Sequence, residues 1–293
     1  MKRMSDMNQA TKPYKPFAFF LIVFSLNWGP LWLLAIGLNR GWFATSLLPI
    51  AVGGISPTLA ALVMIYASNN RKLRRDFWHR VLDPRLIPLR WLPIILLFVP
   101  LLMTVAVVIS TGFEGLLSQL RPNPRFLAAP LCFFLLTLIY GPIPEELGWR
   151  GYGIDSLVSR MNGFWTTVLF GIIWPLWHLP LFFIDGTYQH VLLVQPIPLV
   201  FFLAGMLPQT VIMNWIFFHT NRSVISAILF HFTINFMGEA LAIGQQTKVI
   251  AGILFFAAAI CVVVADRKLF FQNPVVENPA FGLKGFPADH RSR

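Results

Sequence analysis

Long apolar runs alternate with short polar joints along the chain. About 20 apolar residues cross a bilayer as a helix, and eight runs reach that scale, at roughly 17–38, 42–68, 91–111, 127–147, 163–184, 197–218, 222–242 and 247–265. The pattern predicts an all-α fold: a polytopic membrane helical bundle of about eight transmembrane helices, in a single integral membrane domain over 1–293. The second run holds Gly53, Gly54 and Pro57, which predicts a tilted or kinked helix. The fourth ends in Gly141-Pro142-Ile143-Pro144-Glu145-Glu146. Such a stretch belongs at membrane depth only where protein or water surrounds it.

Composition strengthens this picture. The chain is 56% hydrophobic and 12% charged, about half the charged fraction of a soluble protein. Its net charge is +11. In a soluble protein that charge would suggest nucleic acid. Here the cations sit in short joints, so they report topology, and no nucleic-acid partner is expected. With the N-terminus inside, 19 of the 23 Lys and Arg fall on the inner side, against Arg40, Arg121, Arg125 and Lys248 outside. That asymmetry predicts a multi-pass protein of the bacterial inner membrane with both termini cytoplasmic. The first apolar run, which has no clear small-residue cleavage site, is expected to be a retained helix and not a cleaved leader, and the basic N-terminal arm 1–16 and the polar tail 268–293 are expected to be flexible. The run Arg71-Lys72-Leu73-Arg74-Arg75 is expected to anchor on anionic lipid. Cys132 and Cys261 lack metal-ligand spacing and are expected to be free thiols in the core.

Ionisable groups inside membrane spans are costly and mark function. Glu146 and Arg150 stand four apart, share a helical face and can pair. Glu145 lies about 100° round the helix and is left free, as a partly desolvated carboxylate suited to general-base work. Two acids after Pro144 also suit a helix N-terminus with no chemical role. Trp174 and His178 are again four apart, between Pro175 and Pro180. His231 and Asn235 repeat the spacing on a third run, where they can serve as oxyanion donors or as interhelical hydrogen-bonding glue. Three spans with polar residues at helical spacing point to one site inside the bundle.

The series Glu145-Glu146-x-x-x-Arg150, Trp174-x-x-x-His178 and His231-x-x-x-Asn235, with Gly148-Trp149-Arg150-Gly151-Tyr152 around the first, resembles the signature of the CPBP family. That family includes the type II CAAX prenyl endopeptidases and the bacterial Abi proteins. The resemblance covers roughly 130–240, the expected catalytic core. Many members have Phe where Trp174 stands, a departure that keeps an aromatic ring. The resemblance implies a membrane peptidase in which Glu145 activates water with help from His178, Glu146 and Arg150 brace the site, and His231 with Asn235 holds the oxyanion. It implies hydrolysis without an acyl-enzyme and a membrane-anchored protein or peptide substrate: a prenylated one, in CAAX-box protein processing, for some members, and a peptide linked to bacteriocin immunity for others.

Metal-independent chemistry without a cofactor is expected. A zinc ion on Glu145, His178 and His231 is the alternative, although the zincin spacing His-Glu-x-x-His is absent. Asn214 reads as packing glue, and Glu239 as a helix-end acid. The competing functions are a non-catalytic scaffold or bacteriocin-immunity-type protein, and a proton-coupled transporter. The transporter reading lacks the twofold pattern of broken helices common in that class.

Overall fold

A computed structural model describes residues 14–42 and 47–272. These residues form helices and no strands; an isolated antiparallel bridge joins Pro122 to Leu241. The helices that position the site are α1 (Pro16–Asn39), α2 (Leu47–Gly54), α3 (Ser56–Ala67), α4 (Arg71–Leu82), α5 (Leu92–Thr111), α6 (Pro130–Ile139) and α7 (Pro142–Gly148). A π-helical turn (Trp149–Gly153) leads into α8 (Ile154–Val158), followed by α9 (Gly163–Trp177), α10 (Pro196–His219), α11 (Val224–Glu239), α12 (Gln245–Ala265) and α13 (Arg267–Phe271).

Six helical stretches are long and apolar enough to cross a membrane, and α3 and α11 are shorter apolar helices. All eight expected runs are therefore helical, in a polytopic membrane bundle. Several helices start on a proline, whose missing N–H is one that a first turn leaves unbonded anyway. Where a polar cap is needed, Asn70 accepts from the N–H groups of Lys72 and Leu73, and Asn162 from that of Trp165. Apolar side chains such as Leu97, Leu101, Leu131 and Ile260 stay exposed on the outside of the bundle, as a lipid-facing surface requires.

The second expected span is broken at Ile55 into α2 and α3, beside the Gly53, Gly54 and Pro57 that predict a kink. The buried amide of Asn27 donates to Gly53 O at 3.3 Å at that break. The fourth breaks at Tyr140–Gly141 and then continues, through the π turn, to Val158 instead of ending at 147. Helix α7 lies backbone to backbone on α3: a Cβ on Gly148 would fall 2.2 Å from the carbonyl carbon of Pro57. Thr58 Oγ1 donates to Pro144 O across the same seam.

Three expectations are corrected at the periphery. Cys132 and Cys261 are free but exposed, not core thiols. The tail expected to be loose from 268 opens as α13, whose Leu269 and Phe270 are buried; residues 273–293 lie outside the described residues, as do residues 1–13 of the N-terminal arm. The basic segment 71–90 is an amphipathic helix and its sequel, and not all of it faces outward. Leu73, Phe77 and Arg80 are buried along one face of α4, where Arg80 joins an ion network. Its guanidinium pairs with Asp76 at 2.8 Å and Asp155 at 3.1 Å, and Arg222 pairs with both acids. Burial pushes the Asp76 carboxyl up, but the Arg80 and Arg222 guanidiniums outweigh it and hold the group below its ordinary value. Arg80 also donates to the backbone O of Arg150 and Gly151 at 3.0 and 2.9 Å. It thereby satisfies carbonyls that a π turn leaves poorly bonded.

Candidate active site

The first turn of α7 carries Glu145, followed by Glu146. The approach through Gly141 is tight: a Cβ there would sit 3.0 Å from Nδ2 of Asn235. Glu145 is 6% exposed, while Glu146 and Arg150 are fully enclosed. Buried charge must be paired or hydrogen-bonded to be tolerated, so the partners of each carboxylate define its role.

Glu146 is the braced one. Arg150 Nη1 donates to both its oxygens, at 3.0 and 2.8 Å. Arg150 Nη2 donates to Asn214 Oδ1 at 3.3 Å, and Asn214 Nδ2 to Thr167 Oγ1 at 3.0 Å. The guanidinium carbon lies 5.1 Å from the centre of the Phe170 ring. His231 Nδ1 stands 2.8 Å from Glu146 Oε1. The expected pairing of residues 146 and 150 is present, and it reaches α9, α10 and α11.

Among the described residues Glu145 is paired with no cation, yet it is not free as the spacing suggested. Its Oε2 accepts from the indole N–H of Trp174 at 2.8 Å and from that of Trp149 at 3.4 Å. Neither indole donates to Oε1, so one oxygen is held and the other remains available.

His178 caps α9 just past Pro175, with Nδ1 2.9 Å from Trp174 O. A carbonyl only accepts, so Nδ1 carries the proton and Nε2 of the neutral ring keeps its lone pair. His231 Nδ1 faces a carboxylate and is likewise the donor. Its Nε2 donates only when both ring nitrogens carry protons. Asn235 lies one helical turn beyond His231 on α11, half-buried, and its amide makes no hydrogen bond among the described residues. The Trp174 ring ties the parts together, with its centroid 5.3 Å from His231 and 6.2 Å from His178.

All six expected site residues thus stand on α7, the π turn, the end of α9 and α11, in one enclosed neighbourhood. Two groupings emerge: Glu146–Arg150–His231, and Glu145 with Trp174, beside which His178 lies. Glu239 is exposed at the helix end, as expected. Asn214 does more than pack, because it anchors Arg150. Trp149 was overlooked by reading charges alone, although its position four residues after Glu145 puts both on one face. Among the described residues, no three His, Cys, Asp or Glu side chains form a group that could hold a metal ion. Glu145 Oε2, His178 Nδ1 and His231 Nδ1 each face a separate partner.

Comparison with known proteins adds an independent line. A family model described as type II CAAX prenyl endopeptidase Rce1-like matches residues 127–237, the stretch that holds every residue of the site. A curated protein of Methanococcus maripaludis, named CAAX prenyl protease 2, is 36% identical over 269 residues, which is 89% of this chain and 97% of that protein.

Proposed function

The chain belongs to the type II CAAX prenyl endopeptidase family and is a membrane protease, and we propose that it hydrolyses a peptide bond of a membrane-anchored, prenylated CAAX-type protein with water activated by Glu145. The observation that carries this reading is the contrast between the two adjacent glutamates. One is neutralised by Arg150, and the other has no cation and one oxygen held by indoles.

In the proposed reaction, Glu145 Oε1 takes a proton from a water that also hydrogen-bonds His178 Nε2. The resulting hydroxide adds to the scissile carbonyl carbon. The negative charge that develops on the carbonyl oxygen is met by the Asn235 amide N–H and by an N–H of His231. Glu146 and Arg150 hold His231 in place through Nδ1. The tetrahedral intermediate collapses as the protonated Glu145 returns its proton to the departing amine. Each oxyanion donor in such a dry site contributes about 3–4 kcal/mol. No side chain forms a covalent bond, and no metal takes part. The absence of the zincin spacing His-Glu-x-x-His supports the metal-free reading. The lysine and arginine asymmetry supports a cell-membrane location with both termini cytoplasmic.

The test is cleavage of one peptide in prenylated and unprenylated form by purified enzyme, with products identified by mass spectrometry. The prenylated form is expected to be cut, and to be cut equally after dialysis against phenanthroline. Equal cleavage of the two forms would overturn the prenyl requirement. Loss of activity with chelator, restored by zinc, would overturn the metal-free mechanism.

A further inference from the structure

We propose that Trp174 is a positioning residue for Glu145, holding the carboxylate by its indole N–H so that a single oxygen, Oε1, is presented to water. The inference rests on the role of Glu145 in the proposed reaction and adds to it a residue with no assigned part. Phe, which stands at this point in many members of the family pattern, has no donor, so the arrangement belongs to this chain's own sequence.

Three observations converge on it. The Trp174 N–H to Glu145 Oε2 distance is 2.8 Å, whereas the second indole, of Trp149, stands at 3.4 Å. A carboxylate held only at 3.4 Å is weakly bonded, so Trp149 does not replace Trp174. Trp174 is itself fixed: it is 2% exposed, its ring stacks on Phe170 at 6.2 Å, and it meets the His231 ring edge-on at 5.3 Å. Its own backbone O receives the Nδ1–H of His178 at 2.9 Å. One residue therefore sets the rotation of the base through its side chain and the tautomer of the helper histidine through its main chain. Glu145 Cγ–Cδ rotation is otherwise soft, because terminal torsions of this kind have broad wells. Without the indole, the carboxylate turns among orientations of which few aim Oε1 at the water.

The experiment is Trp174→Phe in purified full-length enzyme, which keeps an aromatic ring in the cavity and the His178 contact to the backbone. Turnover (kcat) is expected to fall about tenfold to a hundredfold, with KM and the thermal midpoint near those of wild type. A ring needed only for packing would be replaced by Phe without loss of kcat. The same substitution is made in a Glu145→Gln background, where the positioning of a base no longer matters and no further drop is expected. Wild-type kcat in Trp174→Phe would overturn the proposal, as would an equal drop in both backgrounds. If Trp174→Phe unfolds, Trp174→His, which can restore an N–H donor, takes its place: partial activity above that of Trp174→Leu supports the proposal, and equal activity of the two overturns it. Full activity of Glu145→Gln would instead sink the reading on which the inference stands.

Discussion

Replacing Arg150 by Met removes the cation that braces the site while keeping much of its aliphatic volume. Arg150 provides two of the three hydrogen bonds on the Glu146 carboxylate, and both residues are wholly enclosed. Removing one member of a buried pair leaves a charge in low dielectric, at a cost of about 3–5 kcal/mol. That is a large share of a typical folding free energy of about 5–15 kcal/mol. The cost arises from the stranded charge, so Arg150→Met combined with Glu146→Gln is expected to recover about 2–3 kcal/mol relative to the sum of the single variants. Activity does not return, because His231 then lacks the carboxylate that holds its Nδ1 in place. Denaturant unfolding in mild detergent, run on the four proteins of the cycle, measures the coupling. An Arg150→Met protein within about 1 kcal/mol of wild type, or a double variant equal to the sum of the singles, would refute the reasoning.

Other outcomes follow from contacts at named atoms. Gly141→Ala places a Cβ 3.0 Å from Asn235 Nδ2; a displaced amide is expected to cut kcat toward the loss of about 10²–10³ seen for a missing oxyanion donor, and a wild-type rate in the cleavage assay contradicts it. Gly148→Ala drives a Cβ to 2.2 Å from the Pro57 backbone, whereas Gly54→Ala meets nothing within 4 Å. The first is therefore expected to lower the thermal midpoint sharply and the second to leave it near wild type; equal midpoints would contradict the α3–α7 seam. Asp76 has a folded pKa held below its unfolded value by Arg80 and Arg222. Its contribution is thus present above the unfolded value of 3.8 and lost as pH falls through the lower folded value. Stability set by this group is expected to hold at neutral pH and to decline below about pH 4, with a shallower decline in Asp76→Asn; identical pH curves for the two proteins contradict this.

The site was legible in the sequence to the extent that lipid makes polar residues conspicuous. Glu145, Glu146, Arg150, His178, His231 and Asn235 stand out because few other ionisable or amide groups occupy the apolar runs, and the spacing of four identifies the Glu146–Arg150 pair. Orientation was not legible. Trp149 and Trp174 stood in the motifs as aromatics without a hydrogen-bonding role, since a sequence does not say where an indole N–H points. Asn214 looked like helix glue because its partner, Arg150, arrives from 64 residues away. Arg80 was absorbed into a basic loop, although its partners on α8 and the π turn bury it. The break of α2 from α3 was legible in Gly53, Gly54 and Pro57, whereas the course of the fourth span to Val158 goes with the close packing of α7 on α3 at Gly148. That is a tertiary contact with no period in the sequence.

The catalytic division between the two glutamates is tested most directly by Glu145→Gln, assayed beside wild type on a prenylated peptide after equal folding has been established by thermal melting. Gln keeps the shape and an oxygen for the Trp174 hydrogen bond but cannot take a proton from water. A loss of kcat of about 10²–10⁴ with an unchanged melting midpoint is the expected result; a Glu145→Gln enzyme that turns over at the wild-type rate would contradict it.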